Sequence, residues 1–217
     1  MARMKVAVLV SGRGSNMQAI LDACADSAYP AEVAVVISNI AGAPALERAE
    51  NAGVKTVTIP HKDYPDRETF DQRVTEEIEA AGCELVVLAG FMRLLSEQFC
   101  EHWRDRLINI HPSLLPSFKG LDVHERMIAA GVRFGGCTVH YVRHEMDTGP
   151  IIAQAAVPIH PGDDADTLAA RILEQEHVIY PLAVKWIAEG RVRISGEAVK
   201  VSGARAPVGA LVNYQDA

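Results

Sequence analysis

The chain has 217 residues, of which 49% are hydrophobic and 23% are charged, and these proportions are typical of a globular protein. This length suffices for one α/β domain, alone or with a small appendage, and for a sizeable core. The net charge is −7, from 21 basic and 28 acidic residues, and the basic residues form no dense cluster, so we expect no nucleic-acid partner.

The cysteines and the apolar runs limit the cellular context. Cys24, Cys83, Cys100 and Cys137 are widely spaced without a Cys-x-x-Cys pair, which indicates reduced thiols and not a disulfide framework or a zinc site. The apolar run at 6–10 is too short for a signal peptide, and no stretch approaches the roughly 18 to 20 apolar residues of a membrane span. We therefore expect a cytoplasmic protein without a membrane partner.

The first half of the chain alternates between strand and helix patterns. Short apolar runs rich in β-branched residues predict strands over 5–10, 33–38, 54–59, 84–89 and 107–111. Apolar residues at helical spacing predict helices over 17–24, 45–52, 67–81 and 97–103, with Asp66 as the N-cap of the third. Continuously apolar strands that alternate with helices indicate a mostly parallel sheet covered on both faces.

The pattern changes after residue 111. We expect a helix that ends near Gly131, then strands over 136–142 and 151–159, the second antiparallel to its neighbour. An amphipathic helix is predicted over 163–188, kinked or broken before Pro181. Residues 191–201 predict a small hairpin, and 202–217 a tail with little pattern.

A glycine loop joins the first strand to the first helix. Gly14, Ser15 and Asn16 lie where backbone N–H groups at a helix N-terminus would face an anion, which favours a phosphate site over a simple tight turn. The dinucleotide-binding pattern would need a third glycine where Met17 stands, and an acidic residue where the second strand ends in Asn39. The Gly-Lys-Ser/Thr of the nucleotide P-loop is also missing. The loop therefore favours a phosphate monoester over NAD or ATP.

Asn109 and His111 alternate along the fifth predicted strand, so their side chains share one side, about 6 to 7 Å apart. An Asn amide can stabilise an oxyanion, and His is suited to proton transfer near neutral pH. The alternative is a strand end whose Asn and His satisfy loop backbone. The unusually apolar loop at 90–95 has two readings as well: packing against the next helix, or one wall of a ligand slot beside Asn109.

Read in order, four motifs resemble the folate-dependent phosphoribosylglycinamide formyltransferases of purine biosynthesis. They are Gly14-Ser15-Asn16, Gly90-Phe91-Met92-Arg93, Asn109-Ile110-His111-Pro112-Ser113-Leu114-Leu115-Pro116 and Asp147-Thr148-Gly149-Pro150. The resemblance runs from about residue 5 to about 190 and implies the formyltransferase fold: a Rossmann-like, mostly parallel twisted sheet with helices on both faces and an antiparallel strand in the C-terminal part. It implies one domain over 1–190, with a phosphate-binding half to about 105 and a catalytic half from about 106, followed by the hairpin and tail at 191–217.

The resemblance also implies roles for individual residues. The catalytic trio is Asn109, His111 and Asp147. The ribonucleotide would contact Gly14, Ser15, Asn16 and Glu176, and the folate would contact Arg67, Met92, Arg93, Leu94, Leu95, Asn109, Arg143 and Glu145. Asp122 departs from the pattern, because the better-known members have a histidine there. The implied reaction uses 10-formyltetrahydrofolate as co-substrate and no metal. His140 and His144 are not on one helix, so their spacing does not indicate a metal pair.

Three alternatives stay open at this point, together with a possible homodimer. Methionyl-tRNA formyltransferases share the core but add an RNA-binding domain, for which the residues after 190 are too few. Formyltetrahydrofolate deformylases carry an N-terminal regulatory domain, whereas the first strand here starts near residue 5. A non-catalytic phosphosugar- or folate-binding protein would need the loop but not the trio.

Overall fold

The computed structural model describes residues 2–212. A seven-stranded sheet is formed by β1 (Met4–Val10), β2 (Ala31–Ser38), β3 (Lys55–Thr58), β4 (Leu85–Leu88), β5 (Leu107–His111), β6 (Phe134–Tyr141) and β7 (Ile151–Pro158). The helices are α1 (Ser15–Cys24), α2 (Pro44–Asn51), α3 (Arg67–Ala80), α4 (Glu97–His102), α5 (Val123–Ala129) and α6 (Ala165–Ala188). A 3-10 turn covers His61–Asp63. The side chain of Asp66 accepts the Thr69 N–H at 2.8 Å, as predicted for the N-cap of α3.

The strand order is β3-β2-β1-β4-β5-β6-β7. Strands β1 to β5 are parallel to one another, and β6 is antiparallel to both β5 and β7. The predicted α/β architecture with an antiparallel strand in the C-terminal part is therefore confirmed. The chain extends outward from β1 to β3 and then returns to the other side of β1 with β4. Open α/β sheets bind ligands at the carboxyl ends of the strands that flank such a reversal.

Two hydrophobic cores cover the two faces of the sheet, and the alternation of β1 shows why. Val6, Val8 and Val10 face the core that contains α1, α5 and α6, while Ala7 and Leu9 face the core that contains α3 and α4. The buried strand residues of this second core come from β1, β2, β4 and β5. On that face, helix cover therefore stops at β5.

Of the two predicted alternatives, a break before Pro181 is wrong, because α6 is continuous from Ala165 to Ala188, and a kink there stays a prediction. A proline inside a helix removes one backbone hydrogen bond, and tertiary packing must outweigh that loss. Tyr180 is fully buried, and its hydroxyl lies 2.8 Å from the Leu88 carbonyl oxygen and 3.2 Å from that of Ile108. The Pro181 carbonyl accepts a 2.6 Å hydrogen bond from the Tyr29 hydroxyl. These contacts tie the proline turn to the sheet.

The predicted C-terminal hairpin is confirmed as β8 (Val192–Ser195) and β9 (Ala198–Val201). The predicted tail carries neither helix nor strand over 202–212, and its residues 213–217 lie outside the described residues. Within 2–212, no helix is both long enough and apolar enough to cross a membrane.

Candidate active site

A cavity of about 370 Å³ lies beside β5, on the face of the sheet where helix cover stops. Most of the residues singled out as folate contacts or catalytic groups line it: Met92, Arg93, Leu94, Leu95, Asn109, His111, Arg143, Glu145 and Asp147. Leu107 packs into the core on this face, and Asn109 and His111 continue its alternation into the cavity. The expected shared orientation of the two polar side chains is therefore confirmed.

His111 and Asp147, which are 36 residues apart in the sequence, form a close pair in this cavity. His111 Nδ1 lies 3.4 Å from Asp147 Oδ1, and the two side chains are 7% and 11% exposed. The other carboxylate oxygen, Oδ2, accepts the Gly120 N–H at 2.7 Å. His111 Nε2 lies 3.0 Å from the Phe118 carbonyl oxygen. Both ring nitrogens thus face oxygen acceptors, and the imidazole is fixed in orientation.

Asn109 is oriented by His140, the residue directly opposite it in the β5–β6 ladder. His140 Nδ1 lies 2.9 Å from the Tyr141 carbonyl oxygen and 3.2 Å from that of Thr148, so this nitrogen carries the proton and donates. Burial lowers the pKa of His140, which favours the neutral ring, in which Nε2 is an acceptor. Nε2 faces the Asn109 amide nitrogen at 3.4 Å. One amide N–H of Asn109 is thereby directed at His140, and the second can serve a ligand.

The segment 91–95 forms the apolar wall of the cavity. Its side chains alternate between two environments: Leu95 is buried, whereas Met92 and Leu94 are 66% and 54% exposed. The Phe91 ring stacks on Phe70 of α3, with centroids 6.4 Å apart and planes inclined by 10°. If the segment only packed against the next helix, two large apolar side chains would not stand at a cavity mouth. The arrangement favours the ligand-slot interpretation.

Two arginines bring unsatisfied donors to the same cavity. Arg93 Nε and Arg143 Nε are buried and have no hydrogen-bond partner within residues 2–212. Arg143 Nη2 is held by Asp105 Oδ1 at 2.8 Å. A buried guanidinium N–H without a partner suits an acceptor on a ligand. Arg67, by contrast, opens α3 and lies outside the lining of the cavity, so its folate contact remains a prediction.

The glycine loop forms a second polar site at the N-terminus of α1. Gly14 is the N-cap residue, with φ +73°, and within the described chain no side chain caps this helix. Asn16 Nδ2 donates to Glu176 Oε2 of α6 at 2.7 Å, across 160 residues of sequence. Burial raises the pKa of Glu176, and the Asn16 hydrogen bond opposes part of that shift. The structure thus brings the loop and the glutamate together, and among residues 2–212 no side chain takes the backbone N–H groups at the start of α1, an arrangement that suits an anion.

Comparison with known proteins gives the family. The model of the formyl transferase family matches residues 4–184. The chain belongs to this family. It is 45% identical over 204 residues to a phosphoribosylglycinamide formyltransferase of Escherichia coli, covering 94% of this chain and 96% of that protein. A crystal structure of glycinamide ribonucleotide transformylase 1 from Symbiobacterium toebii is 47% identical, with a TM-score of 0.90 over 92% of this chain and 94% of that one.

A third relative is a much longer protein. A trifunctional purine biosynthetic protein of Drosophila pseudoobscura is 52% identical over 200 residues, which cover 91% of this chain and 15% of that protein. The chain therefore spans a small part of the length of this relative. The seven-stranded sheet with its antiparallel strand agrees with the formyl transferase fold of the solved structure.

Sequence reasoning missed His140 as a partner of Asn109, because strand register is not visible in single-strand patterns. The antiparallel prediction concerned the strand over 151–159 and its neighbour, so no signal in the sequence placed a residue of β6 opposite Asn109. Sequence reasoning also missed the hydrogen bonds that link Asn39, Ser11 and the Met92 N–H.

Proposed function

We infer that the chain transfers the formyl group of 10-formyltetrahydrofolate to the amine of 5'-phosphoribosylglycinamide, giving formylglycinamide ribonucleotide and tetrahydrofolate in purine biosynthesis. The observation that carries this conclusion is the meeting of Asn109, His111 and Asp147 in one cavity of a formyl transferase family member. Full-length similarity to phosphoribosylglycinamide formyltransferases selects the acceptor. The folate occupies the cavity, and the ribonucleotide phosphate binds the N–H groups of the Gly14 loop.

The residues suit each step of this reaction. The substrate amine attacks the formyl carbon, and the carbonyl oxygen becomes the anion of a tetrahedral intermediate. Asn109 donates its second amide N–H to that oxygen, and removal of one such donor typically costs on the order of 10² to 10³ in rate. The attacking nitrogen then loses a proton, N10 of the folate gains one, and the bond from carbon to N10 breaks. His111, held by Asp147, moves these protons, directly or through water.

The residue ranges follow from this assignment. Residues 1–190 act as one formyltransferase domain, in which the part to about 105 supplies the phosphate loop and the part from about 106 supplies the trio. The four free cysteines are consistent with a reducing, cytoplasmic location. A homodimer and a reaction without metal stay predictions.

A single absorbance assay tests the function. The protein is mixed with 10-formyltetrahydrofolate, with and without 5'-phosphoribosylglycinamide, and formation of tetrahydrofolate is followed. Turnover that requires the ribonucleotide is expected. Turnover without it would indicate a deformylase, and no turnover in either mixture would indicate a binding protein.

We expect a non-reactive folate analogue, with carbon in place of N10, to protect backbone amides of 91–95 and 143–147 from hydrogen exchange. Residues of both segments line the cavity, so a ligand bound there restricts both. Mass spectrometry of peptic fragments measures the protection. Protection confined to the Gly14 loop would mean that the two substrate sites have been exchanged.

Replacing Glu176 by glutamine is expected to raise KM for the ribonucleotide roughly tenfold, since hydrogen bonds to charged groups contribute more than neutral ones. KM for the folate should stay unchanged, because Glu176 lies outside the lining of the cavity. Steady-state kinetics with each substrate varied in turn measures both constants. Equal KM values in variant and wild type would remove Glu176 from the ribonucleotide site.

Thermal unfolding of the same variant gives a second readout. Burial raises the pKa of Glu176, so the native state holds a proton above pH 4.5 that the unfolded state has released. The contribution of this proton to stability is present below pH 4.5 and is lost as pH rises through the pKa of the folded state. Glu176→Gln cannot ionise, so its Tm at pH 7 is expected to be at least that of the wild type, with any advantage disappearing below pH 4.5.

A further inference from the structure

Ser11, the first residue after β1, holds the turn that leads from β4 into the segment 91–95. Its backbone N–H donates to the Gly90 carbonyl at 3.1 Å, and its Oγ accepts the Met92 N–H at 2.8 Å. Ser11 is 7% exposed. These bonds cross the reversal point between β1 and β4, where the two loops leave the sheet. Ser11 thus lies at the start of the glycine loop and also holds the start of the segment 91–95.

Asn39 determines which way the Ser11 hydroxyl points. Asn39 is 3% exposed, at the end of β2, where a dinucleotide-binding protein would carry an acidic residue. Its Nδ2 lies 3.2 Å from His61 Nδ1, and its Oδ1 accepts the Ser11 O–H at 2.6 Å. With the hydroxyl proton committed to Asn39, a lone pair of Ser11 Oγ faces the Met92 N–H. The result is a directional chain of hydrogen bonds that ends on the backbone of the cavity wall.

We propose that Ser11 and Asn39 are positioning residues that fix the backbone position of the segment 91–95 and thereby the affinity for the folate. This rests on the proposed function for the identity of the ligand. Met92 and Leu94 are too exposed for side-chain packing to fix their backbone, so the Met92 N–H bond is the constraint nearest to the ligand-facing part of the wall. The Ser11 hydroxyl has no contact with Gly14, Ser15 or Asn16 among the hydrogen bonds of the described residues. Its effect should therefore fall on the folate alone.

The test compares Ser11→Ala with Ser38→Ala. Ser38 is a matched control, because it is also a buried serine at the carboxyl end of a strand, but among residues 2–212 its Oγ forms hydrogen bonds only with the backbone of Ile40, at 2.8 and 3.1 Å. In Ser11→Ala the Met92 N–H and Asn39 Oδ1 both lose their partner. The Kd of the analogue with carbon in place of N10 is expected to rise roughly tenfold, with KM for the ribonucleotide within about twofold of wild type. Ser38→Ala should leave both constants unchanged.

Hydrogen exchange of the unliganded protein tests the same claim without a ligand. The amides of 91–95 should exchange faster in Ser11→Ala and as in wild type in Ser38→Ala. Unchanged exchange in Ser11→Ala, or an unchanged Kd beside faster exchange, overturns the proposal. So does a rise in Kd that Ser38→Ala shares. If the wild type binds no folate analogue, the proposed function has failed, and the exchange data alone then decide whether Ser11 fixes the segment.

Discussion

Asp147→Asn is expected to lower kcat at least about a hundredfold while the fold and the affinity for both substrates are retained. Asp147 has φ +52°, a left-handed conformation that asparagine also tolerates, and an amide oxygen can still accept the Gly120 N–H. What is lost is the negative charge 3.4 Å from His111 Nδ1. The imidazole then has no carboxylate to stabilise its protonated form during the transfer, so the chemical step slows. Single-turnover kinetics with saturating substrates measures this step.

His111→Ala should be similarly slow, and the double variant little worse than either, because residues that act as a unit are not additive. Asp122→Asn is the matched control: Asp122 also has a left-handed backbone, with φ +54°, but lies outside the lining of the cavity. Its kcat should match that of the wild type. A kcat near the wild-type value in Asp147→Asn would refute the pairing.

Gly14→Ala is expected to raise KM for the ribonucleotide by at least about tenfold and to destabilise the fold by roughly 1–3 kcal/mol. A Cβ at Gly14 would lie 2.6 Å from the Cβ of Ala45, a fully buried residue of α2, and φ is +73°. The loop must therefore shift away from α2, and the backbone N–H groups proposed to bind the phosphate shift with it. A larger side chain, as in Gly14→Val, should increase both effects. Steady-state kinetics and urea unfolding measure them.

Gly42→Ala separates the two causes of the expected effect of Gly14→Ala, which are the clash with Ala45 and the left-handed backbone. Gly42 has φ +70°, but a Cβ there meets no atom within 4 Å. This variant isolates the cost of a left-handed alanine, and its KM values should be those of the wild type. If Gly14→Ala raised KM for the folate as much as for the ribonucleotide, the assignment of the phosphate to this loop would fail.

The sequence predicted the features that depend on residues close together in the chain and failed for those that depend on distant residues. Strands β1 to β5 and the N-cap Asp66 depend on neighbours within a few residues, so periodicity and capping patterns located them. The predicted break before Pro181 was wrong because contacts from distant parts of the chain outweigh the local preference of proline to end a helix. One such contact is the hydrogen bond from the Tyr29 hydroxyl to the Pro181 carbonyl.

In the candidate site, residue identities could be predicted from the sequence, whereas the contacts between them could not. The motifs identified Asn109, His111 and Asp147, but distances among them depend on register and loop path, which no single segment determines. Asn39 is the clearest case. In the sequence, its identity counted against a dinucleotide ligand. Its contact with the Ser11 hydroxyl became visible only in the structure, where β1 and β2 lie side by side.

The end of helix cover at β5 has a practical consequence. Ile108 and Ile110 anchor this strand in the core on one face, while Asn109 and His111 project from the other into the open cavity. At the carboxyl end of β5, the residues that pack into the core and the proposed catalytic residues thus lie on opposite faces of the sheet. Inactive variants of the cavity side should fold normally and still admit both authentic substrates. Such a variant is a means to crystallise the complete Michaelis complex, in which the formyl donor and the acceptor amine could be observed together before transfer.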